Sequence, residues 1–223
     1  METQQLRLHP EEPRIAWLCA ADPRLGALIA RLGELTISLE RDPFESLVRS
    51  IISQQISVKA AASIRERVRA LAGEFTPEAL SRLEDEALRG AGLSASKAAY
   101  VRDLSAKVLL REVDFTAFPD MSNEDVITSL TSVKGVGRWT AEMFLIFALG
   151  REDVVSCGDA GLQRAALWLY ELEPRKDRKY LQHLLHRWSP YGTIASLYLW
   201  ESINRGLVDS GLGLDEYGQA DEQ

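Results

Sequence analysis

The sequence has little of what several functional classes require. Of its 223 residues only two are cysteine, Cys19 and Cys157, far apart and in no metal-type spacing. That excludes a disulfide framework and predicts a reduced, cytoplasmic protein with no metal site. No run is long and apolar enough to cross a bilayer, and the polar start Met1-Glu2-Thr3-Gln4-Gln5 is not a signal-peptide pattern. No membrane association is expected. There is no proline- or glycine-rich linker, internal repeat or low-complexity tract. Strand signals are scarce as well. Leu35-Thr36-Ile37-Ser38-Leu39 alternates, but it is short and isolated and reads as loop. Positive charge is also short, with 26 Lys and Arg against 33 Asp and Glu and a net charge of −7. Bulk electrostatics therefore argues against a nucleic-acid partner.

What is present is helical periodicity. Phe44, Leu47, Val48, Ile51 and Ile52 repeat at helix spacing, as do Val58, Ala61, Ala62, Ile64, Val68 and Leu71. Thr76-Pro77 makes a cap and first helical residue, and Ser94 starts a helix with Ala98, Val101, Leu104 and Val108 on one face. Ser122, with Asp125 three positions on, opens a helix carrying Val126, Ile127 and Leu130. Further helices carry Met143, Phe144 and Phe147, then Leu181, Leu184, Leu185 and Trp188, and after Pro190 a last one through Ile194, Leu197 and Tyr198. Many medium helices with short connections define an all-α fold. Trp17, Trp168 and Trp188 read as core residues.

One segment carries chemistry. In Val133-Lys134-Gly135-Val136-Gly137-Arg138-Trp139-Thr140-Ala141 two glycines flank one apolar residue between two apolar helical stretches. This predicts a tight hairpin whose second helix begins with free backbone N–H groups, an anion-binding arrangement that accepts a DNA phosphate without reading a base. Asp159 lies one helix further on. Charge distribution eases the acidity of the chain. Glu11-Glu12, Glu171 to Glu173 and Asp215-Glu216 to Asp221-Glu222 gather acid away from Lys59, Lys97, Arg102, Lys134, Arg138 and Arg164. A local basic patch is expected to bind phosphate with strong salt sensitivity.

The string from Leu130 to Ala141 resembles the helix-hairpin-helix of the base-excision DNA glycosylases. Asp159, in Cys157-Gly158-Asp159-Ala160-Gly161-Leu162, sits where that superfamily carries its catalytic aspartate. Ile51-Ile52-Ser53-Gln54-Gln55-Ile56-Ser57, and Trp188-Ser189-Pro190-Tyr191 through Leu199-Trp200, are similar to motifs of its alkylation-repair branch. The ordered matches span roughly residues 44 to 204, and the whole resembles the short form of the DNA-3-methyladenine glycosylase II family, without the β-domain or iron–sulfur site of some relatives.

The resemblance implies two helical subdomains with a cleft between them. Residues 41–150 would form the central one, carrying the hairpin. Residues 1–40 would pack with the C-terminal subdomain of residues 151–206, and the acidic tail, 207–223, would be flexible. It implies a monomer acting on double-stranded DNA that contains alkylated bases. No cofactor is implied, beyond a monovalent cation that backbone carbonyls of the hairpin can hold.

The resemblance also assigns the site. A damaged base must be extruded from the stack, and a fixed carboxylate must stabilise the positive charge that develops as C1′ loses it. Asp159 is that carboxylate. Trp139 and Trp200 are pocket walls for a base made cationic by alkylation, with Tyr191 and Met143 at the pocket edge; some relatives place a tyrosine where Met143 stands. Gln54 or Gln55 fills the gap in the duplex, although relatives carry an apolar wedge at the place of Gln55. Ser57, Lys134, Gly135, Val136, Gly137, Arg138 and Thr140 contact DNA. Strand-cutting relatives carry a Schiff-base lysine at position 139, and here it is tryptophan. A hydrolytic glycosylase for 3-methyladenine- and 7-methylguanine-type lesions is therefore expected. The alternatives are an oxidised-base glycosylase/lyase and a non-catalytic DNA-binding module.

Overall fold

Side-chain caps set where most of the helices begin. In the computed structural model, which describes residues 4–172 and 180–215, Asp42, Ser57, Thr76, Ser94 and Ser122 each accept a backbone N–H three residues on, at 2.9–3.3 Å. The chain divides into two units, one built from residues 1–39 with 150–223 and the other from residues 40–149.

The unit of residues 40–149 is helical throughout its regular structure. It contains α3 (Pro43–Ser53), α4 (Val58–Ala72), α5 (Pro77–Ser81), α6 (Asp85–Gly90), α7 (Ala95–Leu109), α8 (Asn123–Thr131) and α9 (Arg138–Phe147). Phe44, Leu47, Val48, Ile51 and Ile52 bury one face of α3 against α4, α7 and α9. Phe115, Phe118 and Phe144 meet with ring centroids 5.4–6.0 Å apart and anchor α9. The apolar pattern that places α4 overstates its buried face. Val58 is 87% exposed and Leu71 47%, and Ala61 and Val68 are the positions that α4 buries.

The other unit contains α1 (Pro13–Ala21), α2 (Pro23–Leu32), α10 (Ala160–Leu169), α11 (Tyr180–Trp188) and α12 (Gly192–Asn204). Residues 192–199 of α12 are all buried, which makes it the central helix, in contact with α2, α10 and α11. Asp22 ties the N-terminal helices to the C-terminal ones. Its side chain, 1% exposed, accepts from Leu25 N at 3.1 Å, the Tyr170 hydroxyl at 2.6 Å and Trp188 Nε1 at 3.1 Å. A buried carboxylate needs such donors to offset its lost hydration.

Two expectations are corrected here. Leu35–Leu39 is not loop but strand β2, paired antiparallel with strand β1 (Gln4–Leu8) in the register Leu8↔Leu35 and Leu6↔Ile37. The pairing partner lies far upstream, so local periodicity alone did not reveal the ribbon. The end of the chain also differs from a flexible tail over residues 207–215. Leu207 and Leu214 are buried, and Leu212 O accepts from Trp168 Nε1 at 2.9 Å. Leucines spaced through a glycine-rich stretch suffice to dock it. The remainder of the tail, 216–223, lies outside the described residues. Among the three core tryptophans, Trp188 is fully buried, Trp168 half-buried and Trp17 39% exposed.

Candidate active site

Asp159 is the N-cap of α10, and its carboxylate is fixed from two directions. Oδ1 accepts from Leu162 N at 2.7 Å and from Trp200 Nε1 at 3.1 Å. The position at a helix start places it beside the positive end of the α10 dipole. The loop that delivers it is pinned to the start of α12. Thr193 N donates to Glu152 O at 2.9 Å, Val154 N to Thr193 Oγ1 at 3.0 Å, and Gly192 N and the Ser189 hydroxyl to the two oxygens of Asp153 at 3.1 and 2.7 Å. Gly192 has to be glycine, because a Cβ there would sit 2.7 Å from Val155 and 2.9 Å from Asp153. Gln163 closes the loop from α10 through Nε2 to Cys157 O at 2.6 Å. Sequence reading singled out Asp159 and Trp200 but missed Asp153, Gln163, Gly192 and Thr193, whose partners are set by the tertiary fold.

Trp200, expected as an aromatic wall, meets the carboxylate through its indole N–H. Gly161 keeps that contact open, since a side chain there would begin 3.2 Å from Asp159 Oδ1. Tyr191 does not share this locus. It stands nine residues before Trp200 along α12, about 13 Å by helical rise, and its ring packs edge-on against Trp17 at 5.5 Å.

The hairpin is built as its glycines require. Gly135 has φ +79°, and a Cβ there would come 2.1 Å from the Tyr100 ring. Gly137 differs: its backbone is extended, with φ −93° and ψ 173°, and open space surrounds its Cβ position. Gly137 is the N-cap of α9 and supplies no side-chain cap. Val136 is buried and anchors the turn. Trp139 stands in the first turn of α9, 50% exposed. Thr140, expected at the DNA, is buried. Its side chain lines a cavity of about 230 Å³ together with Met143, Phe147, Ser50 and Ser53. Met143 borders this cavity, on whose other side stand the hydroxyls of Ser50 and Ser53.

The turn after α3 separates the two glutamines. Gln54 Nε2 donates to Gly135 O at 2.9 Å, so this side chain is tied to the hairpin. Gln55 is exposed with φ +56°, an uncommon conformation for a residue other than glycine. Of the two, Gln55 is the one presented outward, next to exposed Ile56 and Val58. Ser57 caps α4 through its hydroxyl.

The expected basic patch is largely neutralised within the molecule. Arg102 pairs with Asp85 at 2.8 Å, Arg164 with Asp209 at 2.7 Å, and Lys134 Nζ lies 3.7 Å from Asp103. Arg138 bonds Glu142 through Nε at 2.9 Å and Glu124 at 2.5–3.0 Å. These bonds, first the one with Glu124, push the Arg138 pKa further up, and the Arg138 bond pulls the Glu124 carboxyl below its usual range. Lys97 is consumed by backbone carbonyls, and Lys59 is exposed. Among the described residues no cluster of His, Cys, Asp or Glu is arranged to hold a metal ion.

An uncapped hairpin helix in one unit, and in the other a carboxylate fixed at a helix start, are the marks of a family. The chain belongs to the HhH-GPD superfamily of base excision DNA repair proteins, whose pattern matches residues 48–190. Within that class it is similar to DNA-3-methyladenine glycosylase 1 of Schizosaccharomyces pombe, 32% identical over 167 residues that make up 73% of each chain. The crystal structure of a DNA-3-methyladenine glycosidase from Bacillus halodurans matches with a TM-score of 0.89 at 41% identity, covering 96% of this chain and 99% of that one. A Schizosaccharomyces pombe 3-methyladenine DNA glycosylase, solved in complex with abasic DNA, matches with a TM-score of 0.75 at 30% identity, covering 86% and 97%.

Proposed function

We propose that the protein is a monofunctional DNA glycosylase that hydrolyses the N-glycosidic bond of alkylated purines of the 3-methyladenine and 7-methylguanine type. The observation that carries this reading is Asp159, whose Oδ1 is immobilised by Leu162 N and Trp200 Nε1. A carboxylate held in place before the reaction stabilises developing positive charge without reorganising. As the C1′–N bond breaks, its electron pair leaves with the base, which was cationic and departs neutral. Asp159 faces the oxocarbenium charge left on the sugar. Water then adds to C1′ and gives up its proton, with Asp159 the nearest base by role.

The same scheme explains the preference for alkylated bases. A base that already carries positive charge needs no acid to protonate it, and it is attracted to an exposed aromatic face such as Trp139. Position 139 offers no amine, so no Schiff base with the sugar can form there. Lys134 Nζ is engaged beside Asp103. DNA is the partner, gripped through phosphate at the start of α9, where the N-cap is a glycine with no side chain in the way. A monovalent cation on the hairpin carbonyls fits the chemistry of the turn: Gly135 O accepts from Gln54 and Val133 O from Val136 N, and each keeps a second lone pair. No step of the reaction depends on it.

The test is mass analysis of the bases that purified protein releases from methylated DNA. Release of 3-methyladenine and 7-methylguanine is expected. Absence of any released base, or release of 8-oxoguanine in preference, would contradict the reading.

A further inference from the structure

Three side chains spaced at i, i+3 and i+6 on α7 reach the two segments assigned to DNA contact. Lys97 Nζ donates to Ile52 O at 2.8 Å and to Gln54 O at 2.6 Å. These are carbonyls of the last turn of α3, which no helical N–H satisfies and where the helix dipole is negative. The Tyr100 ring lies against Gly135, close enough to exclude any side chain there. Asp103 Oδ2 accepts from Lys134 N at 2.9 Å, and its other oxygen lies 3.7 Å from Lys134 Nζ. Gln54 then closes the ring by donating to Gly135 O at 2.9 Å. The turn at 54–57 and the hairpin turn at 133–137 are thus bound to one face of one helix and to each other.

We infer that Lys97 and Asp103 are positioning residues, which hold the outward-facing Gln55 turn and the phosphate-binding hairpin in one fixed register for duplex DNA. This rests on the DNA glycosylase reading above. A helix that served packing alone would satisfy these carbonyls with water and bury apolar side chains. Here an ammonium is spent on α3 carbonyls although the chain is acidic and short of cations to meet phosphate. Burial also pulls the Lys97 pKa below its ordinary value, because lost hydration disfavours the ammonium. Asp103, in the same way, places a negative group at a turn that must accept phosphate. It does so by taking the Lys134 N–H, a donor that otherwise would point at solvent. Both choices cost DNA attraction, and rigid spacing of the two turns is what they return.

The experiment compares Lys97→Met, Lys97→Arg, Asp103→Ala, Asp103→Asn and the double variant Lys97→Met/Asp103→Ala in the full chain. Each is assayed for release of 3-methyladenine from duplex and from single-stranded oligonucleotide, and for binding to a duplex carrying a tetrahydrofuran abasic analogue. Loss of the charge-assisted bond is expected to raise KM and the analogue Kd for duplex about tenfold, with kcat at saturation and single-strand release changed far less. Lys97→Arg and Asp103→Asn, which keep a donor and an acceptor, should restore most of the loss. The double variant should lose less than the product of the single losses, because either break opens the same ring. Equal losses on duplex and single strand, a loss in kcat alone, or unchanged duplex KM in folded variants would each overturn the inference. If Lys97→Met does not fold, the same comparison is decided by Asp103→Ala against Asp103→Asn. A wild-type protein that releases no methylated base would instead sink the glycosylase reading, and the two failures are distinguishable.

Discussion

Asp159 and Trp200 are joined by a hydrogen bond of 3.1 Å from the indole Nε1 to the carboxylate Oδ1. The same oxygen caps α10, so one atom serves both the helix start and the indole N–H. A cap and a reaction group are usually rival readings of an aspartate at a helix start. Here the two are compatible, because the bond that caps the helix also holds the carboxylate in place.

Trp200→Phe tests this link. It keeps an aromatic face and removes only the N–H donor, and a hydrogen bond to a charged acceptor contributes about 1.5–3 kcal/mol. We expect kcat to fall by roughly ten- to a hundredfold with duplex binding nearly unchanged. Measurement of kcat and of Kd for an abasic duplex separates the two, and an unchanged kcat would show that Trp200 is a wall and no more.

The two hairpin glycines should respond differently. Gly135→Ala places a methyl into the Tyr100 ring at a positive φ, so thermal stability should drop. Gly137→Ala meets only open space on an ordinary backbone, so stability should hold. If that space is where a DNA phosphate approaches, Gly137→Ala will weaken binding to damaged and undamaged duplex alike. Thermal melts beside binding curves check both, and a Gly137→Ala protein with wild-type affinity would remove the hairpin from the interface.

Tyr170 makes a stability prediction with a pH sign. Burial, and then its bond to Asp22, raise its pKa above the ordinary 10.0. The folded state therefore favours the protonated phenol. Its contribution is fully present below about pH 10 and is lost as pH rises toward the higher folded value. Tyr170→Phe should cost about 1.5–3 kcal/mol at neutral pH, and its difference from wild type should shrink in denaturant melts above pH 10. A difference that grows with pH would reverse the assignment.

Trp139 in place of an amine predicts the product. Incubation with an oligonucleotide carrying 3-methyladenine should leave an intact abasic strand, cut only by later alkali or heat. Borohydride should trap no covalent adduct. A trapped adduct would favour the lyase alternative.

Local features of this chain were legible in its sequence. Thr76, Ser94 and Ser122 cap the helices they announce, and the Gly-Val-Gly hairpin and Asp159 stand where the motifs indicated. What escaped depends on partners remote along the chain. The strand at Leu35–Leu39 needs Gln4–Leu8, and the free cations expected of Arg102, Arg138 and Arg164 are met by Asp85, Glu124 and Asp209. Tyr191 carries the residue type of a pocket wall, yet it packs on Trp17, a tryptophan whose helical spacing suggested the core. Residue type reports what a side chain can do, and only packing decides which neighbour it does it with.

The most direct test of the account is single-turnover base release by Asp159→Asn, with protein in excess over a 3-methyladenine duplex. Asparagine still caps α10, so the fold and DNA binding should survive. Loss of one preorganised charge should slow release about a hundredfold to a thousandfold. Release at the wild-type rate from a folded, DNA-binding Asp159→Asn protein would contradict the account and leave Asp159 as a helix cap alone.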